Sequence, residues 1–374
     1  MNNFKQFGLN ATLINNLKKQ HITTPTPIQN LTINHIINNF DVIAEAQTGT
    51  GKTLAFLLPM FQNFSNDSKH IQGLIITPTR ELAIQITSEA KKLSENHNIN
   101  ILSIYGGQNI GSQLRKLNRK IDLIIATPGR LIDHLNRETI DLTHLKTLVL
   151  DEADQMLLIG FKNEIDIILE KTNKNKQILC FSATLNSKVK KLAYRIMKNP
   201  KEFAAKKENI TLNEINQKII TSSDRWKQEA LLNELDNSNP FLAIIFCRTK
   251  RRANDLYEAM DKKKYNCAVL HSDIKQNVRQ RIMRSFKNAK LQYLIATDVA
   301  SRGIDVNGIT HIYNYDIPET PEIYIHRIGR TGRMGKDGNA ITFVAPRDEE
   351  TLKTIEKTIK MKIEKEAYIR KNTL

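Results

Sequence analysis

The 374-residue chain contains little cysteine and few aromatic residues. Its three cysteines, Cys180, Cys247 and Cys267, are odd in number and show no Cys-x-x-Cys spacing, which argues against a disulfide framework or a zinc site. This pattern is typical of a reducing compartment, so we predict a cytoplasmic protein. Aromatic residues make up 6% of the chain, and no pair of them marks a base-stacking platform of the kind that RRM domains use.

Long apolar runs are also missing. No stretch approaches the 18 or more apolar residues of a membrane span, and the segment 1–5 does not have the charged-then-apolar layout of a signal peptide. Charged residues make up 25% of the chain and apolar residues 40%, which is an ordinary globular composition and excludes wholesale disorder. We therefore predict two folded domains with no membrane association.

Positive charge is in clear excess. The chain has 56 Lys and Arg against 39 Asp and Glu, a formal net charge of +17. Up to residue 210 there are 27 basic and 18 acidic residues, and 29 and 21 follow, so the excess is +9 and +8 in the two parts. An excess that both parts share favours a polyanionic partner that runs along the whole molecule, although charge alone identifies no function.

Short β-branched runs alternate with longer helical patterns, which predicts an α/β fold of stacked βαβ units with mostly parallel sheets. Strands are predicted at residues 41–44, 73–77, 99–105, 123–126, 147–150 and 177–181, and again at 243–247, 267–270, 293–297, 311–315 and 340–344. The polar stretch between the two series predicts a linker. We place a first lobe at residues 1–207, the linker at 208–214, a second lobe at 215–360, and a short basic tail at 361–374.

A glycine-rich loop follows the first predicted strand and precedes an apolar helix start. This strand–loop–helix context predicts a phosphate-binding P-loop, because glycines let backbone N–H groups turn towards phosphate oxygens and the helix N-terminus adds positive potential. Lys52 would reach the β- and γ-phosphates, and the Thr53 hydroxyl would bind Mg²⁺. The predicted loop consists of Ala46, Gln47, Thr48, Gly49, Thr50, Gly51, Lys52 and Thr53.

A pair of acidic residues follows another predicted strand, 147–150. Asp151 at the carboxyl end of a buried strand would lie beside the P-loop and hold Mg²⁺, partly through water. Glu152 would point at the attacking water as a general base. An isolated Asp-Glu pair is more often a solvated helix cap, but its position after an apolar strand and downstream of a P-loop favours the catalytic interpretation.

With further motifs in the same order, the chain resembles the DEAD-box family of ATP-dependent RNA helicases, as a minimal bacterial-type member similar to the RhlE-like group. In the first lobe the motifs are Pro25-Thr26-Pro27-Ile28-Gln29, the P-loop, Pro78-Thr79-Arg80-Glu81-Leu82-Ala83, Gly106-Gly107, Thr127-Pro128-Gly129-Arg130, Asp151-Glu152-Ala153-Asp154 and Ser182-Ala183-Thr184. In the second lobe they are Arg248-Thr249-Lys250, Gln276-Asn277-Val278-Arg279, the run from Thr297 to Asp305, and the run from His326 to Arg333. The resemblance implies two tandem RecA-like domains, with ATP and Mg²⁺ as cofactors.

The resemblance also implies roles in ATP recognition. The Gln29 amide, which carries both a donor and an acceptor, would read the adenine edge, and Phe4 would stack on the base. Asp305 would contact the ribose, and Gly303 would allow close approach of the nucleotide.

Further implied roles connect the two lobes. Arg330 and Arg333 match the family's arginine fingers, which stabilise charge in phosphoryl transfer when the lobes close. His326 would bridge to the 151–154 segment and to Ser182 and Thr184, which would couple the ATP and RNA sites.

A third set of residues lies at predicted strand-to-helix junctions and is implied to contact RNA. Hydroxyls, backbone N–H groups and arginine side chains suit phosphate and 2′-OH groups and carry little base information, so we expect sequence-independent binding. The residues are Pro78, Thr79, Arg80, Gly107, Thr127, Gly129, Arg130, Arg248, Gln276, Arg279 and Thr297.

The chain departs from the family pattern at a few positions, among them His21-Ile22, where glycine and an aromatic residue are usual, and Asn39, where glycine is usual. The expected partner is RNA, single-stranded or a short duplex, with ribonucleoprotein or degradation complexes as family possibilities and a monomeric state. Two alternatives stay open. One is a DNA helicase on the same architecture, and the other is a nucleotide-gated RNA clamp that rarely unwinds.

Overall fold

In the computed structural model, the described residues are 3–47, 49–205, 215–301, 306, 308–332 and 338–369. The chain divides into two compact units, Met1–Lys207 and Glu208–Leu374. Each unit is built on a seven-stranded parallel sheet with helices packed against it, so the predicted α/β fold class is confirmed. Thr48, the predicted linker 208–214, Gly303, Asp305 and Arg333 lie outside the described residues.

The sheet of the first unit places its strands out of chain order. The strands are β1 (Val42–Glu45), β2 (Gly73–Ile76), β3 (Ile101–Ile104), β4 (Leu123–Ala126), β5 (Thr147–Asp151), β6 (Gln177–Ser182) and β7 (Lys201–Ala204). Their order across the sheet is β3-β4-β2-β5-β6-β1-β7, and all neighbours are parallel. The carboxyl ends of all seven strands therefore meet at one edge, where open α/β sheets bind ligands.

Helices cover both faces of this sheet. They are α1 (Ala11–Lys19), α2 (Pro27–Ile37), α3 (Lys52–Asn63), α4 (Arg80–Leu93), α5 (Ile110–Leu117), α6 (Pro128–Asn136), α7 (Ala153–Ile159), α8 (Lys162–Glu170) and α9 (Ser187–Ile196), after a 3₁₀ helix at Phe4–Phe7. Successive strand residues point to opposite faces, so Val42 and Ala44 pack with α1–α4 while Ile43 packs with α6–α9. Both faces of the sheet are thus buried, which explains the uninterrupted apolar strands.

The second unit repeats this architecture. Its strands are β8 (Ile215–Thr221), β9 (Ala243–Cys247), β10 (Cys267–Leu270), β11 (Tyr293–Thr297), β12 (His311–Asn314), β13 (Gly338–Val344) and β14 (Glu364–Ala367), in the order β10-β11-β9-β12-β13-β8-β14. Its helices are α10 (Lys227–Ser238), α11 (Lys250–Lys262), α12 (Gln276–Lys287), α13 (Asp298–Ser301), α14 (Pro321–Ile328) and α15 (Glu349–Ile359). Helices α10 and α11 pack on the face of the sheet that presents Ile245 and Phe343, and α12 packs on the opposite face, which presents Ile244 and Leu294.

Three strands were not predicted. β7 and β14 are edge strands with the sequences Lys-Glu-Phe-Ala and Glu-Lys-Glu-Ala, whose charged side chains hide their strand character. β14 pairs with β8, so the prediction of a basic tail from residue 361 is wrong for residues 364–367. β8 carries Asn216, Gln217 and Lys218 among its isoleucines and lies directly after the predicted linker, which masked its alternation. Backbone pairing to a neighbour stabilises these strands, and a hydropathy pattern does not report such pairing.

Two departures from the family pattern take up left-handed backbone. Asn39 has φ +61° and His21 has φ +58°. Asparagine tolerates this region, as expected from the sequence, whereas a histidine there is more strained than the glycine that the family uses. Among the described helices, none has both the length and the apolar character that crossing a membrane requires.

Candidate functional site

The predicted P-loop connects β1 to α3. The backbone N–H of Ala46 donates to the carbonyl of Ser182 at 2.9 Å, which fixes the start of the loop against β6. Gly49 and Gly51 have φ +85° and +88°, values that favour glycine, and the Thr50 hydroxyl donates to the Gln47 carbonyl at 2.7 Å. Gly51 caps α3, so the helix N-terminus points into the loop as phosphate binding requires.

Gln29 is buried beside this loop and uses both ends of its amide. Its Oε1 accepts from the Thr26 backbone N–H at 2.9 Å, as part of the capping box of α2, and its Nε2 donates to the Gly51 carbonyl at 2.9 Å. A Cβ at Gly51 would lie 2.4 Å from this Nε2, so the close approach requires glycine. The sequence assigns Gln29 to adenine, and the structure adds a second role, because Gln29 connects α2 to the P-loop.

Phe4 lies in the apolar core of the first unit. It is 3% exposed and makes an edge contact with Phe7, with ring centroids 6.1 Å apart. The structure therefore does not present this ring on a surface, and its predicted stacking on the base stays a prediction.

A buried charged cluster lies at the carboxyl edge of the sheet, next to the P-loop. Asp151, Glu152 and Lys52 are only 3%, 5% and 6% exposed. Burial raises the pKa of Asp151 to about 7, opposed by the positive charge of Lys52 and reinforced by Glu152. The Glu152 N–H donates to Asp151 Oδ1 at 3.0 Å, and Glu152 takes up φ +54° at the start of α7. These side chains thus form one electrostatic unit.

Two polar atoms of this cluster lack partners. Among the described residues, Lys52 Nζ and Glu152 Oε2 are buried and make no hydrogen bond. Buried charged groups are unfavourable unless they are paired, so the site fits a ligand that brings phosphate oxygens to Lys52 and a cation to the carboxylates. Together with the P-loop glycines, these residues fit a nucleotide with a hard divalent ion.

A hydrogen-bond network connects this cluster to the end of β6. Thr184 donates from its backbone N–H at 3.2 Å and from its hydroxyl at 3.0 Å to Asp154 Oδ2. Ser182 Oγ accepts from the Asp154 N–H at 3.3 Å and donates to the Thr184 carbonyl at 2.8 Å. The structure therefore brings three predicted motif residues together. Because Asp154 lies on α7 two residues after Glu152, this network connects the acidic cluster to the segment that follows β6.

The predicted RNA contacts of the first unit follow three neighbouring strands, β3, β4 and β2. Gly107 has φ +84°, and Thr127 begins α6 directly after β4. Thr79 caps α4 by accepting from the Leu82 N–H at 3.3 Å, although Pro78 and Thr79 are themselves buried. Gly129 is exposed, and apart from its chain neighbours and the backbone of its own helix no described residue would lie within 4 Å of a Cβ there.

Two arginines, Arg130 and Arg80, contact the loop that follows β3 at this edge of the sheet. Arg130 donates to the Gln108 carbonyl at 3.1 Å and to Gln113 Oε1 at 3.3 Å, which holds the loop after β3. The Arg80 guanidinium lies against Gly106, where a Cβ would be 3.0 Å from it. Gly106 thus leaves space for the Arg80 side chain, and Gly107 takes up the positive φ of the adjoining turn.

In the second unit the structure separates the predicted contacts into exposed and buried residues. Arg248 follows β9, and its side chain is 39% exposed. Arg279 is buried and donates to the carbonyls of His271 at 3.0 Å and Ala300 at 3.3 Å, so it holds α12 against neighbouring segments. Thr297 is buried at the end of β11. The Gln276 amide atoms are buried, without a hydrogen bond to any described residue.

The arginine motif contains one arrangement that the sequence did not predict. Arg327 is 3% exposed and binds Asp298 through two bonds, Nε to Oδ1 at 2.6 Å and Nη2 to Oδ2 at 2.7 Å. It also donates to the Asp316 carbonyl at 2.7 Å, and its guanidinium lies 4.8 Å from the centre of the Phe246 ring. Arg327 therefore fixes α14 to the ends of β11 and β12. The only indication of this role in the sequence was the position of Arg327 inside the motif, one residue after His326.

Arg330 lies two residues after the end of α14, beyond its C-cap Gly329. It is buried, and its backbone N–H donates to the Arg327 carbonyl at 3.1 Å. The position of this predicted finger therefore depends on the segment that Arg327 holds.

Two RecA-like α/β units, the first with a P-loop and an acidic strand end, define a class of nucleotide-dependent motors. Residues 26–192 match the DEAD/DEAH box helicase family and residues 226–335 match the helicase conserved C-terminal domain. The chain belongs to the DEAD-box helicase family. The predicted resemblance is thereby confirmed, whereas the RhlE-like subgroup stays a prediction.

Among curated relatives, the chain is 44% identical over 362 residues to the DEAD-box ATP-dependent RNA helicase CshA of Bacillus subtilis, covering 97% of this chain and 73% of the relative. It is also 44% identical over 364 residues to the ATP-dependent RNA helicase CshA of Listeria monocytogenes, covering 97% and 70%. Among solved structures, it is similar to S. cerevisiae Dbp5 bound to RNA and ADP BeF3, with a TM-score of 0.90, 28% identity, and coverage of 98% and 96%.

The raised pKa of Asp151 leads to a prediction about stability without ligand. Because its folded-state pKa of about 7 exceeds the ordinary value of 3.8, this group's contribution to the free energy of unfolding is largest below about pH 4 and is lost as the pH rises through 7. We expect Asp151→Asn to be more stable than the wild type above pH 7, by up to about 4 kcal/mol, with the difference vanishing near pH 4. Urea unfolding across this range, without nucleotide or Mg²⁺, measures the effect.

Asp67→Asn is the matched control, since Asp67 is an exposed acid of the same unit. A stability difference for Asp151→Asn that does not change with pH would contradict the prediction.

Proposed function

We propose that the protein is an ATP-dependent RNA helicase, in which RNA-stimulated ATP hydrolysis closes two lobes on RNA and locally unwinds short duplexes or remodels RNA–protein complexes. The observation that carries the proposal is the buried cluster of Lys52, Asp151 and Glu152 under a P-loop, in a chain of the DEAD-box family. The relative Dbp5 was solved with RNA and ADP BeF3, which supports both ligands.

In the proposed mechanism the first unit binds the nucleotide. Lys52 holds the terminal phosphates, and Glu152 orients the attacking water and accepts its proton. Thr53 and Asp151 would hold Mg²⁺, partly through water, and when bound the ion would neutralise phosphate charge. Glu152 Oε2, which no described residue hydrogen-bonds, is the atom that we assign to the water.

RNA binding is proposed to use backbone contacts at the carboxyl edges of both sheets. The exposed Gly107 and Gly129 suit phosphate contacts through N–H groups, and Arg248 suits a phosphate of the same strand. Buried residues such as Thr79 and Arg279 are proposed to shape these edges through the bonds described above. The Asp154–Ser182–Thr184 network is the proposed route from hydrolysis to this edge.

The remaining proposals rest on the sequence. We propose a first domain of residues 1–207, a second domain that begins at residue 215 and extends past 360 to include β14, a cytoplasmic location and a monomeric state. From the second lobe, Arg330 and Arg333 would act at the γ-phosphate, and His326 would bridge to the 151–154 segment, Ser182 and Thr184.

The test compares RNA and DNA of equal sequence as activators of ATP hydrolysis. We expect single-stranded RNA to stimulate turnover several-fold more than the matched DNA, because 2′-OH groups contribute to recognition. Lys52→Ala, which removes the phosphate-binding amine, is the control for contaminating ATPase. Equal stimulation by DNA would overturn the RNA assignment and favour the DNA helicase. A short-duplex unwinding assay beside a measurement of RNA release separates a helicase from a clamp, since a clamp releases RNA slowly without unwinding.

A further inference from the structure

Three potential metal ligands meet on the surface of the first unit. His70, Asp141 and His144 are exposed, and one ligand atom from each lies within 4.8 Å of the others. The two imidazole rings face each other, with centroids 3.8 Å apart and planes inclined by 31°. They lie before the amino ends of β2 and β5, whereas the P-loop and Asp151 lie at the carboxyl edge of the same sheet.

The register of the sheet explains why the imidazoles meet. Gly73 of β2 pairs with Thr147 of β5, and each histidine stands three residues before its strand. The ladder continues in front of the strands, since Lys146 N–H donates to the Gln72 carbonyl at 2.9 Å. Two parallel chains in register therefore bring His70 and His144 side by side.

The third ligand is held in place by its own loop. Asp141 Oδ1 accepts from the Thr143 N–H at 2.8 Å and from the Thr143 hydroxyl at 2.7 Å, which orients the carboxylate. Leu142 and Leu145 are buried and anchor the segment on both sides, and Leu142 forms an isolated bridge with Thr172. The acid is thus presented by an anchored turn that ends at His144.

We propose that His70, Asp141 and His144 form a binding site for a divalent transition-metal ion of the Zn²⁺ class. Imidazole nitrogens select such ions over Mg²⁺, which prefers oxygen ligands. Metal–ligand distances of about 2.0–2.1 Å place tetrahedral ligand atoms roughly 3.3 Å apart, so the ligand atoms, which lie within 4.8 Å of one another, need to close by up to about 1.5 Å. The nitrogen lone pairs of an imidazole lie in its ring plane, so the two facing rings also need to turn until their nitrogens converge. Rotation of the exposed side chains provides both movements, and water completes the coordination. The bound ion would connect the loops that lead into β2 and β5.

The experiment measures Zn²⁺ binding to the full chain by equilibrium dialysis, without nucleotide or thiol reagents. We expect one equivalent of Zn²⁺ that excess Mg²⁺ does not displace, together with a Tm that rises by several degrees. His70→Ala and His144→Ala should abolish this equivalent, and Asp141→Asn should weaken it by about tenfold or more. His21→Asn is the matched control, because it removes an exposed histidine far from the cluster in sequence and keeps a residue that tolerates positive φ.

Two results would overturn the site. One is unchanged Zn²⁺ binding in the three ligand variants, which would show that the ion binds elsewhere. In that case Cys267→Ser tests whether the half-buried thiol of Cys267 binds it. The other is displacement of the ion by Mg²⁺. Thermal unfolding in the presence of a chelator, without bound metal, verifies that the variants fold, as expected for substitutions of exposed side chains. Asp141→Asn tests the site independently of the two histidines.

Discussion

Glu152→Gln is expected to lower RNA-stimulated ATP turnover by about 10²–10⁴ while ATP binding persists. The substitution keeps the volume and polarity of the side chain but removes the carboxylate that would take a proton from water. The structure supports this separation, because Glu152 is buried next to Asp151 and its Oε2 makes no hydrogen bond to a described residue. Steady-state hydrolysis at saturating RNA, beside binding of a fluorescent ATP analogue, measures both quantities.

Stability distinguishes this loss of turnover from misfolding. Glu152 Oε2 is buried next to another carboxylate and makes no hydrogen bond to a described residue, so exchange of the carboxylate for a neutral amide should leave the unfolding midpoint of Glu152→Gln equal to or above that of the wild type. Glu170→Gln, which removes an exposed acid from the same unit, should keep full turnover. Turnover of Glu152→Gln within a few-fold of the wild type would refute the role of general base.

Arg330→Ala is expected to lower RNA-stimulated hydrolysis by about 10³ or more, and to remove ATP-dependent retention of RNA. A guanidinium stabilises charge in phosphoryl transfer through a planar pair of donors, so Arg330→Lys should recover only part of the activity. Arg333→Ala is expected to have the same two effects, because Arg333 belongs to the same sequence motif. Hydrolysis and RNA release from an ATP-analogue complex are the measurements.

The control for Arg330 is its neighbour Arg327. Arg327→Ala removes a buried guanidinium whose two bonds to the partly exposed Asp298 measure 2.6 and 2.7 Å and which also donates to the Asp316 carbonyl, so it should lower the free energy of unfolding by about 3 kcal/mol. Arg330→Ala should instead lose activity with a folded second unit. Normal ATP-dependent retention of RNA by both Arg330→Ala and Arg333→Ala would refute the role of these two arginines as arginine fingers.

The motifs predicted which residues of the candidate nucleotide site lie together, because phosphate and metal chemistry requires particular residue types at fixed spacing. Lys52, Asp151 and Glu152 could be placed from a loop and a strand end, and the structure brings them into one buried cluster. Asp154, Ser182 and Thr184 were likewise in the motifs, but their hydrogen bonds depend on β5 and β6 being neighbours, and strand order is not written in local sequence.

Other features could not be predicted because they depend on tertiary contacts. Arg279 matches a nucleic-acid motif, yet its guanidinium binds two carbonyls inside the second unit. Phe4 matches an aromatic of the family, yet its ring lies in the core. The edge strand β14 contains three charged residues in four, and its pairing with β8 is a property of backbone geometry. A motif therefore specifies residue types, whereas the atoms that each side chain contacts required the structure.

The amide of Gln29 has a consequence for how the protein chooses its nucleotide. One of its two amide N–H groups donates to the Gly51 carbonyl, and its oxygen accepts from the Thr26 N–H, which leaves one N–H and one oxygen lone pair. A base that bonds to these remaining positions would contact the same side chain that holds the P-loop to α2. Base recognition and the position of the P-loop would therefore be coupled through one side chain.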